Sequence, residues 1–266
     1  MMASMTTDSI ESVGGLLREW RQRRRFSQLD LAAEADVSTR HLSFVETGRA
    51  AASRDMLMRL AEQLDMPLRQ RNRLLLAGGF APAHGERPLA APDMGEAMAV
   101  VEAVLAGHAP FPALAVDAHW NLVSANDAVM AMVAGVASFL LEPPANVLRL
   151  SLHPEGLAPR IDNLAEWRHH LLERLRMQAD QSGDPWLLTL RSELAAFPFR
   201  AGRTPPRPVN PVAVPLRLRV PEGGAILSLL STTTVFGTAT DVTLSELALE
   251  CFYPADAGTR AYFLGD

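Results

Sequence analysis

Thr39, Arg40, His41 and Ser43 gather polar and charged groups into five residues directly after Ser38. Side chains of these kinds bond to base edges: arginine forks onto guanine, and hydroxyls donate or accept at several bases. Gln28, further upstream, opens a second apolar-patterned segment, where an amide and a helix N-terminus can hold a phosphate together. Other residues raise the question of catalysis. Glu166-x-x-His169-His170 sets a carboxylate and an imidazole three apart, a fragment of a di-iron site. That site needs a second such motif and two more glutamates, which the chain lacks at suitable spacing, so a solvated helix face is the preferred reading. His153-Pro154-Glu155 reads as a helix terminus, where histidine sits well against the dipole. There is no Gly-x-Ser-x-Gly, Gly-rich phosphate loop or Cys-x-x-Cys. Cys251, the single cysteine, lies in an apolar stretch and reads as inert core. All 25 basic residues are arginine, so no lysine can form a Schiff base. No catalytic residue, metal ligand or cofactor follows, and the chain is not expected to be an enzyme.

The elements that would position the first cluster are short helices. Leu16, Leu17 and Trp20 share a face of a helix expected from Val13 to Arg24, with Arg18, Arg21, Arg23, Arg24 and Arg25 elsewhere. These arginines read equally as a phosphate-facing cluster or a solvated face. Ser27-x-x-Asp30 is a capping-box pattern ahead of a helix over Gln28–Ala35, whose apolar positions are Leu29, Leu31 and Ala32. Asp36-Val37 is a turn, Ser38 an N-cap, and Thr39–Thr47 the third helix, with Leu42 and Val45 inward and Gly48 as its stop. Ser53 caps a fourth helix through Leu64, and Pro67 starts a fifth that ends near Ala77. Ser27 and Ser38 serve first as caps.

The run Ser27-Gln28-Leu29-Asp30-Leu31-Ala32, then Val37-Ser38, Leu42-Ser43, Glu46-x-Gly48-Arg49 and Leu57-x-x-Leu60-Ala61 resembles the XRE/lambda-repressor family of helix-turn-helix proteins. The resemblance covers about a quarter of the chain. It implies double-stranded DNA as partner, with Gln28, Thr39, Arg40, Ser43 and Phe44 touching it and Arg49 reaching the backbone. Ser38 and His41 lie in the same stretch and join the candidate DNA-binding residues. Glu46 would be structural. Phe44 departs from the polar residue often found there, and could offer only an apolar contact such as with a thymine methyl.

Residues 81–92 (APAHGERPLAAP) hold three prolines and a glycine and read as a linker. The expected organisation is therefore a DNA-binding domain over 1–80, the linker, and a second domain over 93–266. A helix follows over Met94–Leu105. Pro112–Asp117 and Trp120–Ser124 read as two strands. Helices are expected from Asn126 or Asp127 to Val133, and over Asn146–Leu152, Arg160–Ala179 and Pro185–Ala196. A proline-rich loop then spans Arg203–Pro211. Strands are expected over Val212–Val220, Ala225–Phe236 and Leu244–Tyr253, with Gly223-Gly224 as a hairpin turn. The sum is an α+β domain with about five antiparallel strands. A strand pair, then helices, then a three-strand meander is a PAS-like order.

Leu114–Ser124 with Asn126, Asn146-Val147-Leu148-Arg149-x-x-x-His153-Pro154, Trp167, and Ser228-x-x-Ser231-x-x-x-x-Phe236-Gly237-Thr238 together resemble the MmyB-like transcription regulators. In these a helix-turn-helix domain precedes a PAS-like ligand-binding domain. The resemblance implies a pocket for a fatty-acid-like molecule. Val123, Leu148, Trp167, Leu171 and Leu229 could line it, and each reads also as plain core. Such pockets are apolar with one or two polar anchors. Arg149 could hold a ligand carboxylate or an internal acid such as Glu155. An alternative keeps DNA binding and makes the second domain a ligand-free dimerisation or protein-interaction module.

Charge follows this division. Residues 1–84 carry 12 arginines against 10 acids, and residues 85–266 carry 13 against 20, which gives the net −5. The basic excess falls where the DNA motif falls. The longest apolar run, Ala131–Leu141, is too short to span a bilayer, and Met1–Gly15 lacks the pattern of a signal peptide. A cytoplasmic homodimer without membrane insertion is expected, because one small domain reads few bases and two half-sites lie about 34 Å apart.

Overall fold

The computed structural model describes residues 11–198, 213–221 and 223–265. The proline-rich loop over Arg203–Pro211 and the first residue of the strand expected from Val212 lie outside them. The chain divides into two compact units, Met1–Glu86 with Thr240–Val242, and Arg87–Ala239 with Thr243–Asp266.

The first unit is helical: α1 (Val13–Arg23), α2 (Gln28–Glu34), α3 (Thr39–Glu46), α4 (Arg54–Gln63) and α5 (Leu68–Ala77). Four of the five start on a serine. Ser12, Ser27, Ser38 and Ser53 each accept a backbone N–H of the first turn, and Ser27 completes a capping box with Asp30. The α2–α3 joint turns at Asp36, whose φ of 51° suits an aspartate. Leu17, Trp20, Leu31, Leu42, Leu57 and Leu60 close the core. Gly14 lets α1 lie directly on α3, because a Cβ there would stand 2.4 Å from the Glu46 carbonyl oxygen. One expectation fails: Leu29 is 67 % exposed, since α2 buries only Leu31 and Ala32.

The second unit has α6 (Gly95–Gly107), β1 (Ala113–Val116), β2 (Leu122–Ala125), α7 (Asp127–Met132), α8 (Val147–Leu152), α9 (Leu164–Ser182), α10 (Pro185–Ala196), β3 (Leu216–Arg219), β4 (Ile226–Val235), α11 (Val242–Ser245), β5 (Ala248–Pro254) and α12 (Ala257–Leu264). Its five strands form one antiparallel sheet in the order β2-β1-β5-β4-β3. Gly223 and Gly224, at φ of 76° and 68°, turn β3 into β4. The two faces carry different cores. Leu114, Val116, Leu216, Leu218 and Leu229 pack with α8, α9 and α10, whereas Ala113, Ala115, Leu249 and Cys251 pack with Val101 and Leu105 of α6.

Two starting points and one helix stand out against the sequence reading. α9 starts at Leu164 because Ala158–Arg160 forms a 3-10 turn and Ile161 bridges Leu218. The strand expected from Leu244 begins at Ala248, after the helical turn of α11. The C-terminal α12 went unforeseen, although Asp256 caps it by accepting the Thr259 N–H at 2.7 Å.

Candidate DNA interface and ligand cavity

The candidate recognition surface is built from α3. Ser38 and Arg40 are exposed, Thr39, His41, Ser43 and Phe44 half-buried, and Leu42 and Val45 buried. The helix thus turns its apolar side to the core and offers the polar side as one strip. The Arg40 guanidinium lies 5.3 Å over the Phe44 ring, which fixes the direction of its fork. Arg49 is exposed beyond Gly48.

The last residue of α3, Glu46, has its side chain wholly buried. Arg21 donates to both its oxygens, at 2.7 and 2.9 Å, and Gln28 Nε2 donates at 2.8 Å. Burial pushes this carboxyl up, but the hydrogen bonds from Arg21 and Gln28 and the charges of Arg21 and Arg18 outweigh it and hold the group below the usual range. Gln28 is therefore committed by one amide hydrogen to Glu46, and a phosphate contact would use the other. Two more arginines of the α1 cluster bond within the unit, whereas Arg18 and Arg25 are exposed. Arg24 donates to the carbonyls of Leu64 and Asp65, Arg23 pairs with Glu19, and both lie over the Trp20 ring.

The second unit contains a cavity of about 170 Å³ between the sheet and helices α7, α8 and α9. Leu148, Trp167 and Leu171 line it, together with Trp120, Leu122, Val129, Leu150 and Phe252. Their polar edges are satisfied: Trp167 Nε1 donates to Ser151 and Trp120 Nε1 to Gln178. Trp120 has a φ of 65°, rare for a bulky residue. It is held there by its own carbonyl, which accepts the Val147 N–H at 2.9 Å.

Three expected lining residues are not in the wall. Val123 faces the α6 side of the sheet, because alternation along β2 gives the cavity to its neighbour Leu122. Leu229 belongs to the adjoining core without reaching the cavity. Arg149 points to α10 and grips Glu193 through two bonds of 2.7 and 2.8 Å, rather than Glu155 or the cavity.

The charged pair of the cavity wall lies elsewhere. Arg174 donates to Glu250 Oε2 at 3.1 Å and Oε1 at 2.5 Å, and to Thr233 Oγ1 at 2.8 Å. Thr233 in turn donates to Glu250 at 2.8 Å. The guanidinium also lies 4.5 Å over the Trp120 ring. Arg174 and Glu250 both line the cavity, and the Glu250 side chain is only 4 % exposed. The sequence held a signal for each. Trp167, Leu171 and Arg174 share one face of α9 at spacings of four and three, and Glu250 is an acid inside an apolar strand. A larger, open groove of about 730 Å³ lies beside α6, α7 and α12. Its arginine, Arg160, is spent on the carbonyls of Met132, Ala134 and Arg219.

Residues 97–263, well over half of the chain, match the family model described as the MmyB-like transcription regulator ligand binding domain. The chain belongs to the MmyB-like transcription regulators. Residues 17–70 match a helix-turn-helix family. The protein is thus a helix-turn-helix DNA-binding regulator with an MmyB-like ligand-binding domain. Among solved structures it is similar to a SinR protein/SinI protein complex, at 21 % identity over 37 % of this chain and 84 % of that one, with a TM-score of 0.22. It is also similar to an RNA-binding light-oxygen-voltage receptor, at 14 % identity over 100 % of this chain and 69 % of that one, with a TM-score of 0.25. No curated protein matches it. No helix among the described residues is long and apolar enough to cross a membrane.

Proposed function

We propose that this MmyB-like regulator is a cytoplasmic homodimer that reads two half-sites through α3 and is controlled by an apolar, fatty-acid-like molecule in the second unit. Ser38, Thr39, Arg40, His41, Ser43 and Phe44 supply the groove contacts, and Gln28 and Arg49 the backbone contacts. The single observation that carries the ligand reading is the cavity, apolar apart from a few polar groups and one ion pair. Leu148, Trp167 and Leu171 hold the tail and Arg174 the head. At about 170 Å³ the space is below the ~300–1,000 Å³ of most ligand sites. A long chain therefore needs the half-open side, where Met130 and Leu141 are 53 % and 37 % exposed, to move aside. Ligand then shifts the packing of the sensor and with it the placement of the two recognition helices.

Lipid extraction and mass spectrometry of the purified full-length protein test this reading. A fatty acid recovered at close to one per chain is expected. Consistent absence, together with no decanoate binding, favours the interaction-module reading. That alternative draws support from α6, where Val100 and Val104 remain exposed at 52 % and 37 % on a helix that is apolar nearly all round.

A further inference from the structure

The polar end of the cavity already holds its own carboxylate. Among the described wall residues Glu250 is the only acid and Arg174 the only base. Both guanidinium Nη atoms are directed at Glu250, and Thr233 closes the triangle. A ligand carboxylate that reaches Arg174 therefore meets Glu250 first. Two carboxylates on one half-buried guanidinium repel each other, and such sites resolve the conflict by retaining a proton on one of them. Expelling Glu250 instead would strand a carboxylate that has almost no contact with water.

We propose that a carboxylate ligand enters this cavity together with one proton, shared between ligand and Glu250, while Arg174 carries the balancing charge. The inference rests on the fatty-acid-like reading above. The balance is simple: an ionised ligand and one proton add to the Arg174–Glu250 pair, giving one carboxylate, one carboxylic acid and one guanidinium. No covalent bond changes. Ser231, which also lines the wall, offers a hydroxyl to the second carboxyl group. An amphiphile with a neutral head carries no charge into the site and needs no proton.

Other titratable groups near the pair are few. His170, His169 and Glu166 stand on α9 with Arg174, and Cys251 follows Glu250 on β5. Burial, with the charge of Arg174, holds the His170 imidazole below its ordinary value, and burial beside Glu250 pushes the Cys251 thiol up. The thiol keeps its proton, and His170 is a competing acceptor.

Titration calorimetry of the full-length protein with decanoate and with 1-decanol, in buffers of different ionisation enthalpy, tests the proposal. Decanoate is expected to take up close to one proton, its affinity falling about tenfold per pH unit from pH 6 to 8. Decanol should bind with no uptake and a flat profile. Glu250→Gln should bind decanoate without uptake, and His170→Gln should keep the wild-type slope. Decanoate binding without proton uptake, or a slope lost in His170→Gln, overturns the proposal and leaves the apolar-ligand reading intact. If neither probe binds, that reading falls and the proposal with it. The wild-type comparison of the two probes is decisive even if a variant folds poorly.

Discussion

Each unit of the protein buries one glutamate against an arginine, and the two pairs have opposite surroundings. Glu46 receives Arg21 and Gln28 at the edge of the helical core, with Arg18 3.7 Å away and no cavity beside it among the described residues. Glu250 receives Arg174 and Thr233 at the wall of a cavity. The first pair joins three helices, α1, α2 and α3, and so sets the angle at which α3 presents its polar strip. The second joins α9 to the sheet and leaves one side toward space. The same chemistry is a staple when enclosed and, in the proposed function, a recognition group when it borders a void.

The sharpest way to break the comparison is at Glu46. Glu46→Ala removes the partner of a guanidinium only 12 % exposed and should cost ~3–5 kcal/mol of the helical unit's stability. A denaturant midpoint read on Trp20 fluorescence measures it, and a loss under 1 kcal/mol would mean that Glu46 is no staple. Next comes the reading surface. Arg40→Ala should cost ~1–3 kcal/mol of operator affinity and relax sequence choice, if its fork makes a bidentate base contact. Competition assays against random DNA decide this, and an unchanged specificity ratio would remove Arg40 from the base readers. Acid comes third. Glu46 is held below its ordinary value of about 4.3, so its stabilisation is complete above that pH and fades as pH falls through the lower folded value. Helical-unit stability should therefore drop below about pH 4.3, and Glu46→Gln should flatten that drop. The smallest effect belongs to Arg149→Ala. Its bond to Glu193 is over a third exposed on both sides, so ~0–1 kcal/mol of stability is expected. A larger loss in thermal melts would restore Arg149 to a central role.

The two units also differ in how far their sequences could be read. The helical unit declares itself locally. Ser27, Ser38 and Ser53 cap where their spacing to the next apolar turn says they should, and each bond spans three residues. The sheet unit yields its elements and their order, but not its site. Arg174 and Glu250 are 76 residues apart, and Arg149 finds Glu193 rather than the nearby Glu155. Local pattern carries no information on such pairings, which depend on how α9, α10 and β5 come together. Val123 was misread for a different reason. Leu122 and Val123 are both apolar, so alternation alone could not say which faced the cavity. Leu148, Trp167 and Leu171 were legible because their helical faces are unambiguous.

In the proposed regulator, occupancy of the cavity changes how α3 meets DNA. The direct test is the affinity of the full-length protein for an operator selected from random duplexes, measured across a decanoate titration at pH 6.5. A shift of about fivefold or more, saturating where decanoate binding saturates, is the predicted result. Decanoate that binds fully while operator affinity stays within twofold would contradict it.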